Sequence, residues 1–133
     1  LQRNKVKKIA PFVSVWQTVD RIELAAEIAK RAAGATVLVQ VNTTDETQKS
    51  GCAPSGAAEL VDRCRELGLD VHGLMTIGPT DGSSPAPAFQ RLRELRDDLG
   101  LVELSMGMSG DLELAVAEGS TMIRVGTALF GPR

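Results

Sequence analysis

The chain is poor in the side chains that metal or triad chemistry needs, and it has no apolar stretch long enough to cross a membrane. It contains no tyrosine, one tryptophan, one histidine and two cysteines. With His72 as the lone imidazole, no His/Cys/Asp metal cluster can be assembled from sequence, and a Ser-His-Asp triad would rest on that residue alone. In the run Val71-His72-Gly73-Leu74-Met75 it reads as a packed or surface residue. Cys52 and Cys64 are too few for a disulfide framework and lack Cys-x-x-Cys spacing, so both are expected to be reduced. The longest apolar runs, such as Val37 to Val41 and Leu69 to Ile77, fall well short of a membrane span. Arg3, Lys5, Lys7 and Lys8 precede only a brief apolar stretch, unlike a signal peptide, and a cytoplasmic location is the expectation. A net charge of −2 carries no electrostatic footprint for nucleic acid.

What is present is enough for one core: 133 residues, 43% of them hydrophobic. Periodicity predicts five strand-then-helix units, with strands near Val13 to Thr18, Thr36 to Val41, Asp70 to Thr76, Val102 to Met106 and Met122 to Val125. Near-continuous apolar strands suit a parallel sheet covered on both faces. Helices are expected over Asp20 to Ala33, Ser55 to Leu67, Pro85 to Leu99 and Gly110 to Glu118. Asp20 with Glu23 has capping-box spacing and Ser55 is a candidate N-cap. In the second helix Ala57, Leu60, Val61 and Cys64 recur at i, i+3, i+4 and i+7. The alternation predicts an α/β fold, either doubly wound or a (β/α) barrel. A closed barrel takes about 250 residues, so five units amount to roughly five-eighths of one. The chain begins at Leu1 rather than methionine and stops two residues after its final motif, which leads to the expectation of a longer parent polypeptide.

In such a sheet, functional groups gather in the loops at the carboxyl ends of the strands. Those loops hold Asn42-Thr43-Thr44 with Lys49-Ser50-Gly51, then Thr76 to Pro79, Ser105 to Asp111, and Arg124 to Gly126. Twice near the end, a strand-like run finishes in glycine and hydroxyl residues where a helix could begin, which is how a chain presents backbone N–H groups to a phosphate. Gly107, Ser109 and Gly110 form one such turn, Gly126 and Thr127 the other. On spacing alone, phosphate binding and plain tight turns are equally good readings. Arg124, inside Met122-Ile123-Arg124-Val125, points into the barrel mouth or snorkels outward between helices, and the alternative to a functional role is a structural ion pair with Glu103 or Asp111.

The sequence Ser105-Met106-Gly107-Met108-Ser109-Gly110-Asp111, followed by the Gly119 to Gly131 pattern Gly-x-Thr-x-x-Arg-x-Gly-Thr-x-x-Phe-Gly, resembles the end of the pyridoxal-phosphate homeostasis proteins. Leu1-Gln2-x-Asn4-Lys5, Lys49-Ser50-Gly51 and Gly73-Leu74-Met75 support the likeness, which runs over essentially all of residues 1–133. The resemblance implies the (β/α)8 TIM barrel of the alanine racemase N-terminal type, here its C-terminal five units as one domain. It implies pyridoxal 5'-phosphate as cofactor, with Ser109, Gly126 and Thr127 on the phosphate and Arg124 at the pyridine nitrogen. Two positive charges about 3 Å apart repel strongly, so such an arginine keeps that nitrogen unprotonated. Met75 would be a wall contact and Lys49 a polar neighbour of the ring oxygen.

By the same likeness, the family's Schiff-base lysine belongs to a first strand upstream of Leu1. None of Lys5, Lys7, Lys8, Lys30 or Lys49 matches its position, and Lys7 and Lys8 read as a solvated basic turn. The function implied is binding or carrying the cofactor, by a monomer or weak homodimer, with no established catalysis. The alternative is a racemase-type enzyme whose lysine and second acid/base group lie in missing sequence. The tyrosine that alanine racemases draw from their second domain has no counterpart here, since the chain has no tyrosine. A phosphate-binding barrel for some other ligand would not require both C-terminal motifs together.

Overall fold

The apolar runs lie side by side in the order in which they occur. The computed structural model describes residues 1–131. Its sheet holds β1 (Val15–Val19), β2 (Thr36–Gln40), β3 (Asp70–Met75) and β4 (Glu103–Ser105) in the order β1-β2-β3-β4, with every adjacent pair parallel. A doubly wound sheet reverses its strand order at a switch point. Here there is no reversal, and sequential parallel strands with right-handed crossovers put their helices on one face, the arc of a (β/α) barrel. The helices are α1 (Arg3–Ile9), α2 (Ile22–Arg31), α3 (Ala57–Glu66), α4 (Ala86–Asp98), α5 (Leu112–Ala117) and α6 (Thr127–Phe130). Along that face α1 packs on α2, α2 on α3, and α4 on α5. Among the described residues no helix is long and apolar enough to cross a membrane.

The core lies between helices and sheet. The expected stripe of α3, Ala57, Leu60, Val61 and Cys64, is buried, as are Leu24, Ala25 and Ile28 of α2 and Phe89 and Leu92 of α4. They meet Trp16, Val19, Val37, Val39, Leu74 and Leu104 from the strands. Each fully buried side chain of this size contributes about 1.5–3 kcal/mol through removal from water.

Two register shifts settle which strand residues face the helices. Trp16 pairs with Val37 and Val19 with Val39, so β1 carries an extra residue; Val37 pairs with Val71 but Leu38 with Gly73, so β3 carries one at His72. A bulge of this kind turns two residues that are three apart onto the same face. By strand alternation the opposite face, the barrel interior, receives Gln17, Leu38, Gln40, Gly73, Met75 and Ser105. His72 is exposed and its Nε2 lies 2.7 Å from Asp70.

Several boundaries differ from those the sequence suggests. Lys7 and Lys8, expected in a solvated basic turn, are exposed but belong to α1, because Val6 finds full burial and both lysines fall in the last turn, where cations suit the helix dipole. Asp20 does not cap α2: its carboxylate is taken by Arg21 at 2.5 Å, and the helix begins at Ile22. Ser55 does not cap α3 because Pro54–Gly56 forms a 3-10 turn that leads directly into it.

The fifth strand is reduced to one bridge, Ser105 with Met122. The segment still follows β4, with Met122 N–H donating to Leu104 O at 3.0 Å and Arg124 N–H to Gly107 O at 2.9 Å. Hydroxyls take over part of the ladder: Leu104 N–H donates to Thr121 Oγ1 at 2.8 Å and Ser120 Oγ donates to Met106 O at 2.7 Å. The expected 1–133 domain ends in Pro132 and Arg133, which lie outside the described residues.

Gly73 faces the tightest strand contact. A Cβ there would sit 2.0 Å from the Glu103 carbonyl oxygen, so β3 and β4 could not keep their register. Gly73→Ala is expected to cost about 1–3 kcal/mol, read as a lower urea midpoint for the complete polypeptide. An unchanged midpoint would contradict this close approach.

Candidate functional site

The residues with chemical potential collect where the strands end. After β4 the chain closes a small turn: Met108 N–H donates to Asp111 Oδ1 at 2.6 Å and Asp111 N–H to Met108 O at 3.2 Å. Gly107 enters that turn at φ +94°, and a Cβ on it would lie 2.5 Å from the Ala115 side chain, so only glycine fits. The turn leaves Ser109 at its tip. Ser109 Oγ accepts the Ala128 N–H at 3.1 Å, tying this loop to the first turn of α6.

Ser109, Gly126 and Thr127 therefore line one open cavity of about 880 Å³, with Met108, Gly110, Phe130 and Gly131. Among the described residues the N–H groups of Gly126 and Thr127 meet no acceptor, and Ser109 Oγ, with one lone pair engaged, can point its proton into the cavity. Three of the residues expected to act together are thus brought together.

Arg124 starts two residues before this cavity and turns inward. Its Nη1 donates to Ser105 Oγ at 2.7 Å and its Nη2 to the Thr76 carbonyl at 2.7 Å. The alternative of a structural ion pair does not occur: Glu103 accepts from Thr121 Oγ1, and the Asp111 carboxylate is engaged by Met108 N–H. Among the described residues no carboxylate lies within 4 Å of the guanidinium. Burial lowers its pKa from the usual arginine value, and the more distant Asp111 charge partly opposes this. A half-buried cation held only by neutral acceptors keeps its full charge available at the mouth.

Met75 is 3% exposed and sits in register between Gln40 and Ser105, facing the interior. Lys49 lies in the loop after β2, which folds back so that Cys52 N–H donates to Gln40 O and Asn42 N–H to Cys52 O, both at 2.9 Å. Its Nζ is engaged by Glu46 and by the Gly78 carbonyl. The two cysteines are free, and burial pushes both thiols up to about 11, so they stay protonated at neutral pH.

Gln17 and Glu46 were not among the candidates read from the sequence, whereas Thr43 and Thr76 lie in the loops it marked. Gln17 reaches Ser105, with Ser105 Oγ donating to its Oε1 at 2.7 Å; Thr76 Oγ1 donates to Val41 O at 2.8 Å and pairs with Thr43 Oγ1 at 2.9 Å. The available signal was a polar residue inside a strand covered on both faces. Glu46 accepts from both Lys49 and Thr80.

Comparison with known proteins identifies the family and the fold. The model of the family described as alanine racemase, N-terminal domain, matches residues 2–133. The pyridoxal phosphate homeostasis protein of Pseudomonas aeruginosa is 45% identical over 142 residues, covering 100% of this chain and 62% of that protein; its namesake from Aquifex aeolicus is 44% identical over 146 residues, covering 100% and 64%. The chain thus spans less than two thirds of the length of these relatives. The structure of PipY from Synechococcus elongatus with pyridoxal phosphate (PLP) bound superposes with a TM-score of 0.86 at 32% identity, covering 98% of this chain and 67% of that one.

The Lys49 contact gives a pH prediction. Glu46 is held down to about 2 from an ordinary 4.5, first by the Lys49 ammonium and then by the Thr80 hydroxyl. A depressed native pKa means that this tie is intact above 4.5 and is lost as pH falls through about 2. A carbon-13 titration of the Glu46 carboxyl should show that midpoint, and Lys49→Ala should return it toward 4.5. A parent midpoint already near 4.5 would mean that Lys49 is not so engaged.

Proposed function

This chain belongs to the family of the alanine racemase N-terminal domain, and from that premise we propose that its parent polypeptide holds pyridoxal 5'-phosphate at the barrel mouth as a cofactor-homeostasis protein. Residues 1–133 form the C-terminal five-eighths of its barrel in this reading. The observation that carries the proposal is the pairing of the Ser109–Gly126–Thr127 cavity with a neighbouring arginine that forms no ion pair among the described residues. The names of the Pseudomonas and Aquifex relatives, and the cofactor in the PipY structure, support it.

The donor set suits the group. Ser109 and Thr127 contribute hydroxyls and Gly126 and Thr127 contribute N–H groups, all suited to a phosphate dianion. Arg124, a permanent donor, would face the pyridine nitrogen and would keep its lone pair unprotonated. Met75 would form the wall, and Lys49, anchored by Glu46, would lie near the ring oxygen. When bound, the cofactor supplies an aldehyde and a conjugated electron sink. An arginine at the ring nitrogen weakens that sink, so these residues favour holding the cofactor over broad carbanion chemistry.

Titrating the complete polypeptide with pyridoxal phosphate and following absorbance retained after gel filtration tests the reading; no retained cofactor would sink it. Ser109→Ala and Thr127→Ala should each weaken retention by about 1.5–3 kcal/mol, one charge-assisted hydrogen bond apiece. Equal retention would move the phosphate elsewhere. Arg124→Glu should shift the cofactor's absorption by letting the ring nitrogen protonate, and an unchanged spectrum at full occupancy would remove Arg124 from that contact.

A further inference from the structure

Behind Arg124 lies a run of hydrogen bonds whose direction is fixed by chemistry. A guanidinium has five N–H donors and no acceptor. Ser105 Oγ, 2.7 Å from Arg124 Nη1, must therefore accept. Its single proton then goes to the other neighbour, Gln17 Oε1, at 2.7 Å. That contact turns the Gln17 amide so that its Nε2 faces Met122 Sδ, 2.8 Å away. Ser105 is fully buried, so water cannot substitute for either bond. On the other nitrogen, Nη2 donates to the Thr76 carbonyl, and the Thr76 side chain is itself fixed by Val41 O and Thr43. With both terminal nitrogens anchored, the plane of the guanidinium is set and three of its N–H groups remain free to donate.

We propose that Ser105 and Gln17 are positioning residues for Arg124: they fix its plane through a one-directional relay that carries no charge of its own. The proposal rests on the cofactor reading for its functional meaning. Neutrality is the informative part. A carboxylate in the place of Gln17 could take the same serine proton, but it would set a negative charge two hydrogen bonds from the guanidinium and partly cancel the field that keeps a ring nitrogen unprotonated. An amide gives the geometry without the charge. Gln17 reaches this position from β1, on the far side of the sheet from β4 in strand order.

The test uses the complete polypeptide, with and without pyridoxal phosphate. Without cofactor, nitrogen-15 spectra of the arginine side chains should show Arg124 Nη signals sharpened by hindered rotation. Ser105→Ala should collapse them and Ser105→Thr should restore them. With cofactor, Ser105→Ala should weaken retention about tenfold, the loss of one hydrogen bond to a charged group. Gln17→Glu should keep the Nη signals while raising the pH at which the cofactor spectrum changes, which a merely structural role would not do.

If Ser105→Ala fails to fold, Gln17→Glu and Gln17→Leu carry the test: the first should move the pH profile alone, the second should collapse the Nη signals. Retained cofactor with Nη signals and pH profile unmoved by these variants would overturn the relay and leave the cofactor reading standing. A parent that retains no pyridoxal phosphate but loses its hindered Nη signals in Ser105→Ala would uphold the relay and sink the cofactor reading.

Discussion

A half-buried arginine must have acceptors, and if its charge is to act on anything else those acceptors must be neutral. That requirement organises the interior of this chain. The Arg124 guanidinium rests on one serine hydroxyl and one backbone carbonyl, donated by the ends of two different strands. Each of those is held in turn, Ser105 by Gln17 from the first strand and Thr76 by Thr43 and Val41 from the second. All four strands thus contribute to the placement of one cation, and the parallel, sequential order of the sheet is what brings their carboxyl ends to one side.

The segment that carries Arg124 is irregular, and the irregularity fits its task. A full ladder beside β4 would commit its backbone N–H and C=O groups in alternation. Here Ser120 and Thr121 hydroxyls bond to the Leu104, Met106 and Met122 backbone instead. The chain is secured beside β4 for only a few residues, and it is free to turn Arg124 inward and then open into the Gly126–Thr127 turn. β3 and β4, by contrast, are pressed together at Gly73 with no room for a side chain. A rigid pair of strands therefore stands next to a segment held by side chains.

The architecture was legible because it is written in local patterns. The α3 stripe and the apolar runs of β2 and β3 have spacings that report one face each, and glycines and hydroxyls mark strand ends. What escaped was set by partners distant in sequence. Nothing near Asp20 announces that Arg21 will take its carboxylate, and a capping-box spacing looks the same whether the cap forms or not. The bulges at β1 and His72 are equally silent, since one extra residue leaves composition unchanged while moving Trp16 and Val19 to a common face. In the site, Ser109, Gly126 and Thr127 could be grouped from their motifs, whereas the tie between Gln17 and Ser105 spans 88 positions and shows only as a polar residue in an apolar strand.

The bond between Ala128 N–H and Ser109 Oγ has a consequence for rate as well as affinity. It joins the loop after β4 to α6 before any ligand arrives, and it takes one of the serine's two lone pairs while leaving the hydroxyl proton available to the cavity. In the proposed phosphate site, an arriving phosphorylated molecule would meet a Ser109–Ala128 tie already formed on folding, so that part of the ordering entropy would not be lost on binding. Capture would then proceed at the speed of encounter rather than of loop closure, and residence time would be governed by departure alone.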